Sequence, residues 1–489
     1  MSKKEKKNRV GWRTTGGDRA WYFIGRIGTT NLQAIIPNFM NLFLIFNGVD
    51  LGLVAAITLI VKIIDSVDDM IFGFLVDKID LKKSKLLSKL GGAGRYFPWL
   101  RCFMYFFPFA IFLFFLMPSS LSSFGKAAWF AVTYLLFDFT YTLVDVPVQS
   151  TLMTLTDVPE ERNHIVTWGY VFVTITLLAT SLVQQFLISE TVGLSIRTVA
   201  LGSMVLFTLM MIPMPFKLKE TNTELKNVEK EVSEHYTVRE MLRAVWNNKP
   251  YLISTLSKMI PSILATGSGV GLFVSYYLFG ESTALMLPSV GGAILMVFFE
   301  MAAPAVSKKM GNKKGLVVSM VVMTICSIGT YLVGYQNYGA VVMLLLISSA
   351  FGGIVTMIRG YVIFDTIEYG KYINGRDTTG IFNAINTFTD KITGSVASSL
   401  GLILLSLFGW TTVNAESFAD LAAQGIEQSA SALNGLWIIN AMVPAIGAVL
   451  GLVTILFYRL PDKDVKLMGQ CNAGEISREE CESKLSRKY

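Results

Sequence analysis

The stretch LIVKIIDSVDDMIFGFLVDKIDLKKSK, residues 59–85, joins an apolar segment that contains charges to a strongly basic loop. Its first part belongs to a predominantly apolar segment, 51–76, which is long enough to cross a bilayer, since about 20 apolar residues suffice. A backbone in lipid must satisfy its own hydrogen bonds, so this segment is predicted to be a helix. The basic loop that follows is typical of the cytoplasmic side of a membrane protein.

The composition of the 489-residue chain also indicates a membrane protein. The chain is 52% hydrophobic and only 16% charged, whereas soluble domains are about 25% charged. We therefore predict an all-α polytopic membrane protein with twelve transmembrane helices, called spans 1 to 12 in chain order. Their predicted limits are 21–47, 51–76, 98–118, 126–150, 165–189, 194–214, 249–279, 284–306, 315–334, 339–364, 379–408 and 433–458.

Basic residues are concentrated in alternate loops. Lysines occupy the N-terminal tail, the loops after spans 2 and 8, and the C-terminal tail, whereas the loop 410–431 contains Glu416, Asp420 and Glu427 and no Lys or Arg. The positive-inside rule then predicts a multi-pass protein of the cytoplasmic (inner) membrane of a bacterium, with both termini cytoplasmic. It also accounts for the net charge of +7 without a nucleic-acid partner.

The basic loops indicate an internal repeat. GFLVDKIDLKKSK (73–85) follows span 2, and APAVSKKMGNKKG (303–315) follows span 8, the equivalent position of a second set of six helices. Two six-helix halves are the architecture of the major facilitator fold, although any two cytoplasmic loops can look basic. The predicted divisions are a cytoplasmic tail 1–20, an N-terminal half 21–214, a cytoplasmic linker 215–248, a C-terminal half 249–458 and a cytoplasmic tail 459–489.

Span 2 contains ionisable residues, which are costly inside a membrane and are functional candidates by default. Lys62, Asp65 and Asp69 share one helix face at spacings i, i+3 and i+7, and Asp68 lies at its edge. Adjacent carboxylates supply oxygen ligands for Na⁺, and their mutual repulsion suits the uptake of H⁺. We predict a cation site at the three aspartates, with Asp65 and Asp69 as metal ligands if the cation is Na⁺. The alternative is a structural charge network with Lys62.

Span 4 carries a polar stripe suited to the recognition of hydroxyl groups. Asp138 and Asp145 are two turns apart, Thr142 lies one turn before Asp145, and Gln149 lies one turn after it. We predict that Asp145, Gln149 and Asp138 bind substrate. The alternative is that Asp145 only caps a helix or pairs with an arginine near the cytoplasmic surface.

Three further residues of span 11 are predicted to bind substrate, and one of them, Lys391, is also a coupling candidate. Asn383, Asn386 and Lys391 follow helical spacing, and Lys391 needs a carboxylate partner if it is deep in the membrane. A salt link from Lys391 to the acidic N-terminal half, broken by ligands, would suit alternating access. The alternative is that Lys391 extends to the cytoplasmic interface.

Two cations in other spans remain ambiguous from sequence. Arg26 lies in span 1, and Lys258 lies in span 7. Each could bind an anionic group of a substrate, and each could equally pair internally.

Motifs of soluble enzymes are absent from the sequence. The chain contains no Gly-rich phosphate loop, no paired Cys/His ligands and no helical His-Glu-His motif. We therefore predict a protein that is not an enzyme, that does not hydrolyse ATP, and that needs no cofactor beyond a coupling cation.

Three motifs resemble those of the glycoside–pentoside–hexuronide:cation symporter family. IIDSVDDMIFGFLVD (63–77) resembles the family's cation-binding second helix, and YTLVDVPVQSTLMTLT (141–156) resembles its sugar-binding fourth helix. DTIEYGKYINGRDTTGIFNAINTF (365–388), with Lys391, resembles the loop and eleventh helix that link the two sites.

The resemblance implies a role for each matching residue. Asp65 and Asp69 would bind the cation together with Thr142, Asp145 would accept hydrogen bonds from sugar hydroxyls, and Lys391 would couple the two sites, with Lys62 as a further coupling candidate. The cargo would be a sugar or glycoside carried with Na⁺ or H⁺.

Several residues depart from the family pattern. Asp68 stands where the family often has asparagine, which adds a carboxylate and favours H⁺. Thr29 or Thr30 replaces a sugar-binding aspartate of the first helix, Gln149 replaces an aromatic residue, and Tyr170 lies where an arginine is expected. Arg26 and Lys258 would suit a uronic-acid glycoside.

We therefore predict a secondary active transporter that carries a small sugar or glycoside with a monovalent cation across the lipid bilayer by alternating access. One alternative is a proton-driven exporter of drugs or metabolites, which would have an aromatic and Met-lined cavity without a polar stripe. Another is a membrane sensor that binds sugar without moving it.

Overall fold

A computed structural model describes residues 12–78, 96–156, 158–219, 245–375 and 379–487. At residues 66–78, 153, 159, 379–381, 383 and 384 it describes the backbone only. The basic N-terminal tail up to residue 11, the loop after span 2 and residues 220–244 of the linker lie outside the described residues. The chain divides into two compact units, residues 1–233 with 412–427 and residues 234–411 with 428–489.

The first unit contains helices at all of the predicted spans 1 to 6. Span 3 is interrupted after Phe103, and span 6 is followed by a one-turn helix, Met214–Lys217. The spans run Gly16–Phe46, Leu51–Lys78, Phe97–Phe103 with Phe106–Phe115, Ser123–Leu155, Pro159–Ile188 and Ile196–Met211.

The second unit contains spans 7 to 12 and two tail helices, Asp462–Asn472 and Arg478–Lys484. The named secondary-structure elements of the described residues are all helices, which confirms the prediction of an all-α protein. Span 7 consists of Lys249–Ile263, a 3-10 turn Thr266–Gly269 and Gly271–Phe279. Spans 8 to 11 run Met286–Met310, Asn312–Val333, Tyr338–Asn374 and Thr379–Leu407. Span 12 consists of Ala430–Trp437, a π turn Ile438–Met442 and Val443–Leu456.

Side chains at several helix starts satisfy backbone N–H groups that have no partner within the helix. Thr15 accepts from the backbone N–H of Asp18, while the Asp18 carboxylate accepts from the backbone N–H of Thr15 at 2.8 Å. The side chains of Ser122 and Asn337 cap spans 4 and 10 by accepting from the backbone N–H groups of Gly125 and Ala340. Such capping matters at a membrane boundary, since unsatisfied backbone groups cannot enter lipid.

The outer surfaces of the helices are apolar, as contact with lipid requires. Nine helices of the described part are long and apolar enough to cross a bilayer, and the bent pair in span 7 raises the number to ten. In the most apolar 18-residue stretch of each helix, only 11% of span 8 and 17% of span 5 is buried. Spans 1 and 2 are not among the nine, and both carry polar or charged side chains that include Arg26 and Asp65.

Besides the interruptions of spans 3 and 12, span 7 differs from its prediction by a bend and span 10 by an extension. Span 7, predicted as one helix over 249–279, is broken at a 3-10 turn and bends by 54°. The Thr266 hydroxyl donates to the carbonyl of Ile439 in the π turn of span 12 at 2.7 Å, which satisfies a backbone group released by irregular helix geometry. Span 10, predicted to end at 364, continues to Asn374, because its last turns pack against the tail helices.

The loop between spans 11 and 12 lies against the first unit. The backbone N–H of Ala415 donates to the carbonyl of Phe46 at 2.9 Å, and that of Ile196 donates to the carbonyl of Glu416 at 2.9 Å. The rings of Phe46 and Phe418 meet edge to face. Residues 412–427 therefore cover the ends of spans 1 and 6.

Glycines allow spans to approach closely, as is common between membrane helices. A Cβ at Gly28 of span 1 would lie 2.6 Å from the backbone nitrogen of Met211 in span 6. At Gly353 of span 10 it would meet the carbonyl oxygen of Met296 in span 8 and lie 3.0 Å from the backbone nitrogen of Glu300. Backbone atoms cannot give way as a flexible side chain can.

We expect Gly353→Ala to lower the free energy of unfolding by about 1–3 kcal/mol, because spans 8 and 10 must separate. The matched control is Gly360→Ala on the same helix, where an added Cβ meets nothing within 4 Å. That change should leave stability unchanged or raise it slightly, since alanine favours helix. Thermal unfolding of the purified protein in detergent measures both. Equal unfolding temperatures for the two variants would contradict the close approach.

Candidate functional site

Asp145 of span 4 lies at the centre of a polar cluster in the first unit. Its carboxylate accepts a hydrogen bond from Gln149 at 2.6 Å and another from the Tyr141 hydroxyl. Arg26 of span 1 places its guanidinium 3.9 Å from the same carboxylate, and each of the two charged side chains is 16% exposed. The charged partner of Asp145 is thus Arg26 of span 1, and both side chains are largely buried.

A cavity of about 160 Å³ opens beside this cluster. Tyr22 and Arg26 of span 1, Gln149 of span 4 and Tyr170 of span 5 supply its polar wall, and Leu152 and Ile165 supply apolar surface. Aromatic and apolar surface with a few convergent polar groups is typical of small-molecule sites. The sequence prediction included Arg26, Asp145 and Gln149, and the structure brings these three together.

The cluster retains capacity for a ligand. Nη1 of Arg26 is buried and makes no hydrogen bond within the described residues. An unsatisfied buried donor costs about 1–3 kcal/mol, and a ligand oxygen at this position would remove that cost. A carboxylate next to a guanidinium offers an acceptor and a donor side by side, which matches the donor and acceptor character of a hydroxyl group.

Asp138 and Thr142 lie on the same side of span 4, nearer its start. Both are buried, at 4% and 3% exposure, and the Thr142 hydroxyl donates to the backbone carbonyl of Asp138 at 3.2 Å. Tyr134, one turn before Asp138, donates to Oδ2 of Asp65 at 3.4 Å. The polar stripe of span 4 therefore reaches from the Asp145 cluster to span 2.

Lys62 and Asp65 of span 2 form an ion pair. Nζ of Lys62 lies 3.1 Å from Oδ2 of Asp65 and 4.7 Å from the centre of the Tyr134 ring. The ammonium group thus occupies one coordination position of the Asp65 carboxylate. A coupling cation at Asp65 must share this carboxylate with Lys62 or displace it.

The side chains of Asp68 and Asp69 lie outside the described residues, and so does that of Asn383. Of the four residues of the predicted cation site, the structure therefore describes the side chains of Asp65 and Thr142 only. Among the side chains that the structure describes, no group of three or more His, Cys, Asp or Glu residues is arranged to hold a metal ion.

In the second unit, Lys258 of span 7 is paired internally. Its Nζ lies 2.6 Å from Oδ1 of Asp390 in span 11 and donates to Oδ1 of Asn386 at 3.3 Å. Asn386, a predicted substrate residue, is thus a partner of this ion pair. Lys391 is exposed, and its backbone carbonyl accepts from the Ser395 hydroxyl.

Arg359 of span 10 is a buried cation that the sequence prediction missed. Its Nη2 donates to the backbone carbonyl of Ser257 in span 7 at 3.1 Å, and its Nη1 has no hydrogen-bond partner in the part of the chain described. The signal was present in the sequence, because Arg359 stands inside the apolar run of span 10. Tyr141 was also missed, since an aromatic residue in an apolar helix carries no such signal.

The family model and the similar proteins agree on a family of sugar transporters. The family described as MFS/sugar transport protein matches residues 21–462. The isoprimeverose transporter of Lactiplantibacillus pentosus is 22% identical over 94% of this chain and 91% of its own length. The glucuronide carrier protein homolog of Escherichia coli (strain K12) is 22% identical over 94% of each chain.

Solved structures share the fold at low sequence identity. The nucleoside transporter NupG matches with a TM-score of 0.55 and 12% identity, over 90% of this chain and 100% of that chain. A bacterial homolog of the human lysosomal transporter Spinster, inward-facing and unoccupied, matches with a TM-score of 0.59 and 10% identity, over 91% of this chain and 97% of that chain.

The likeness to these structures concerns the fold alone, whereas the family match covers nearly all of the spans and agrees with the three motifs and the polar stripe. The chain therefore belongs to the MFS/sugar transport protein family, among the glycoside–pentoside–hexuronide:cation symporters, and it is a multi-pass membrane transporter and not an enzyme.

Proposed function

We propose that this symporter carries a neutral glycoside, with one sugar ring held at Arg26, Asp145 and Gln149 and with the coupling cation at span 2. The observation that carries the proposal is the Asp145 cluster: a carboxylate fixed by Gln149 and Tyr141, with Arg26 at 3.9 Å, beside a cavity. Ligand sites commonly occupy about 300–1,000 Å³. A cavity of 160 Å³ therefore encloses one part of a glycoside.

The charge balance of the cluster favours a neutral ligand. Arg26 and Asp145 compensate each other, so a uronic-acid carboxylate would add an uncompensated charge next to Asp145. At a separation of 4 Å, two like charges repel by about 4 kcal/mol in an effective dielectric of about 20. Lys258, the other cation considered for a uronate, is already neutralised by Asp390. Hydroxyl groups incur no such repulsion.

The names of two relatives indicate one neutral and one acidic substrate. An isoprimeverose transporter and a glucuronide carrier homolog are similar to this chain to the same degree, 22%. Overall similarity therefore does not separate neutral from acidic glycosides, and the argument depends on the Arg26–Asp145 pair.

The cation is Na⁺ or H⁺, and we propose that it binds at Asp65, Asp68 and Asp69 with Thr142 alongside. Three carboxylates and one lysine give this part of span 2 a formal charge of −2, which leaves room for a monovalent cation. The basic loops support an orientation with both termini in the cytoplasm of a bacterium and with six-helix halves at 21–214 and 249–458. The loop 410–431, without Lys or Arg, would then be external.

Uptake by reconstituted proteoliposomes tests the substrate and the cation together. We expect neutral glycosides such as isoprimeverose or raffinose to accumulate under an inward Na⁺ or H⁺ gradient, and glucuronides to accumulate much less. Asp145→Asn should reduce uptake by about 10- to 100-fold, since a hydrogen bond to a charged group is worth about 1.5–3 kcal/mol.

The control for this variant is Glu281→Gln, which removes a carboxylate from an exposed turn between spans 7 and 8. It should transport as the unmodified protein does. Preferential glucuronide uptake would refute the neutral substrate. Outward drug flux without sugar accumulation would favour an exporter, and binding without accumulation would favour a sensor.

Two variants test the coupling. Asp65→Asn should abolish uphill accumulation but leave substrate exchange, because Asp65 couples and does not contact sugar. Lys391→Ala should remove the dependence of substrate affinity on the cation, since coupling between two ligands is a reciprocal free energy. Proteoliposome uptake, exchange and substrate binding at several cation concentrations measure these effects.

The control for Asp65→Asn is the double variant Lys62→Gln/Asp65→Asn, which removes the lysine that the single change leaves without its carboxylate. Restored accumulation in the double variant would show that Asp65 serves only to neutralise Lys62. Wild-type cation dependence in Lys391→Ala would exclude the linking role.

A charge reversal distinguishes a structural from a substrate-binding Lys258. Lys258→Asp alone should destabilise the second unit, because two carboxylates would face each other across spans 7 and 11. The double variant Lys258→Asp/Asp390→Lys should restore the unfolding temperature and uptake. Stability that recovers without uptake would mean that Lys258 itself contacts the substrate.

A further inference from the structure

The residues after span 12 form a folded cap on the second unit. The cap consists of residues 459–487, with the tail helices Asp462–Asn472 and Arg478–Lys484. Met468 and Cys481 are fully buried, and they pack in one cluster with Tyr369 and Tyr372 from the last turns of span 10. The extension of span 10 beyond residue 364 supplies the surface on which the cap lies.

Polar contacts fix the position of the cap. Asp464 is fully buried and accepts from the backbone N–H of Ser486 at 3.1 Å and from its hydroxyl at 2.5 Å. Asp462 accepts from the backbone N–H of Asn312 at 2.8 Å, at the start of span 9. Asn472 donates to the carbonyl and carboxylate of Glu368 in span 10. The hydrogen bonds of the buried Asp464, together with these specific contacts to spans 9 and 10, indicate one defined arrangement.

A cavity of about 910 Å³ that is open to solvent lies on the second unit, between the cap, the start of span 7 and the ends of spans 10 and 12, and its charged lining residues are exposed. Its charged lining is Lys249, Arg459, Arg478 and Arg487 with a single acid, Glu482. The volume is in the range of sites for organic ligands. None of the substrate or cation candidates lines this cavity.

The charged lining of the cavity consists of four cations and one acid, Glu482. Arg478 pairs with Glu482 at 3.4 Å and lies 5.1 Å above the Tyr372 ring. Lys249 and Arg459 form no ion pair within the described residues. The charges of Arg459 and Arg487 also act on Lys313 at the start of span 9. Gathered cations repel one another, and a bound anion would remove that repulsion.

We propose that this cavity binds a phosphate-bearing organic anion. The phosphate would lie at Arg459, Arg487 and Lys249, and the organic part would lie against Tyr372 and Phe457. Arginine matches phosphate because its planar guanidinium donates two parallel hydrogen bonds, and a dianion suits three cations better than a single carboxylate does. The aromatic side chains give the ligand apolar surface that a bare inorganic ion would not use.

Binding in this cavity stabilises the docked cap, because the cap supplies Arg478, Glu482 and Arg487 to its wall. With the C-terminus in the cytoplasm, as proposed above, the ligand is either a free phosphorylated metabolite or the headgroup of an anionic phospholipid. The site is separate from the Asp145 cluster, so its occupancy can be measured without transport.

Isothermal titration of the purified protein in a neutral detergent tests the free anion, with glucose 6-phosphate as the probe and glucose and inorganic phosphate as comparisons. Thermal unfolding in nanodiscs of phosphatidylglycerol or phosphatidylcholine tests the lipid headgroup. We expect Arg459→Gln and Arg487→Gln each to weaken the affinity for the ligand by about tenfold or more. Arg459→Lys should reduce the affinity less, because lysine keeps the charge but not the paired hydrogen bonds.

The charge-matched controls are the single changes Lys463→Gln and Lys466→Gln, each of which removes one exposed cation from the cap outside the cavity. Glucose 6-phosphate binding lost only in the arginine variants supports a metabolite site. Stabilisation by phosphatidylglycerol alone, lost in the same variants, supports a headgroup site. Equal weakening in the controls, or no response to either probe, would overturn the proposal. Circular dichroism and hydrogen exchange of residues 464–486 verify that each variant retains the cap.

Discussion

Charge compensation inside an apolar surrounding is the constraint on which this transporter depends. A carboxylate or a cation in a membrane helix is stable only with a partner, and each unit supplies partners from neighbouring spans. Arg26 faces Asp145, Lys62 faces Asp65, and Lys258 faces Asp390. The first two pairs are largely buried and the third is partly exposed, while large apolar side chains cover much of the outer surface of the helices.

The same pairs define what a ligand can do. At the sites proposed here, a sugar hydroxyl would bind beside the Arg26–Asp145 pair, whereas a cation at Asp65 would compete with the ammonium group of Lys62. Ligands can shift a conformational equilibrium only by their differential affinity for its states. Rearranging a pre-existing ion pair provides such a difference, since the cost of an unpaired buried charge far exceeds that of a neutral group.

Much of the fold followed from sequence, because hydropathy and loop charge depend on local composition. All twelve predicted spans are helical, with interruptions in spans 3, 7 and 12, and Arg26, Asp145 and Gln149 lie together. The sequence could not reveal which helix packs beside which, so the partners of Lys258 and Asp145 remained open until the structure showed them. The break in span 7 left no hydropathy signal, and its link to span 12, in which the Thr266 hydroxyl donates to the carbonyl of Ile439, depends on helix packing that a sequence does not reveal. Arg359 was overlooked although its charge in an apolar run could have identified it, and the side chains of Asp68 and Asp69 remain outside the described residues.

The cap has a consequence for biosynthesis. Residues 462–487 follow every span in the chain, so the ribosome makes them after span 12, and Tyr369 and Tyr372 of span 10 stay uncovered until then. At about 5–20 residues per second, the chain beyond span 12 takes a few seconds to synthesise. During that interval, apolar surface beside the bilayer is open to chaperones and proteases. A chain that stops at the end of span 12 would contain spans 1 to 12 and would still carry this exposed surface, by which quality control could distinguish it from a chain that has the cap.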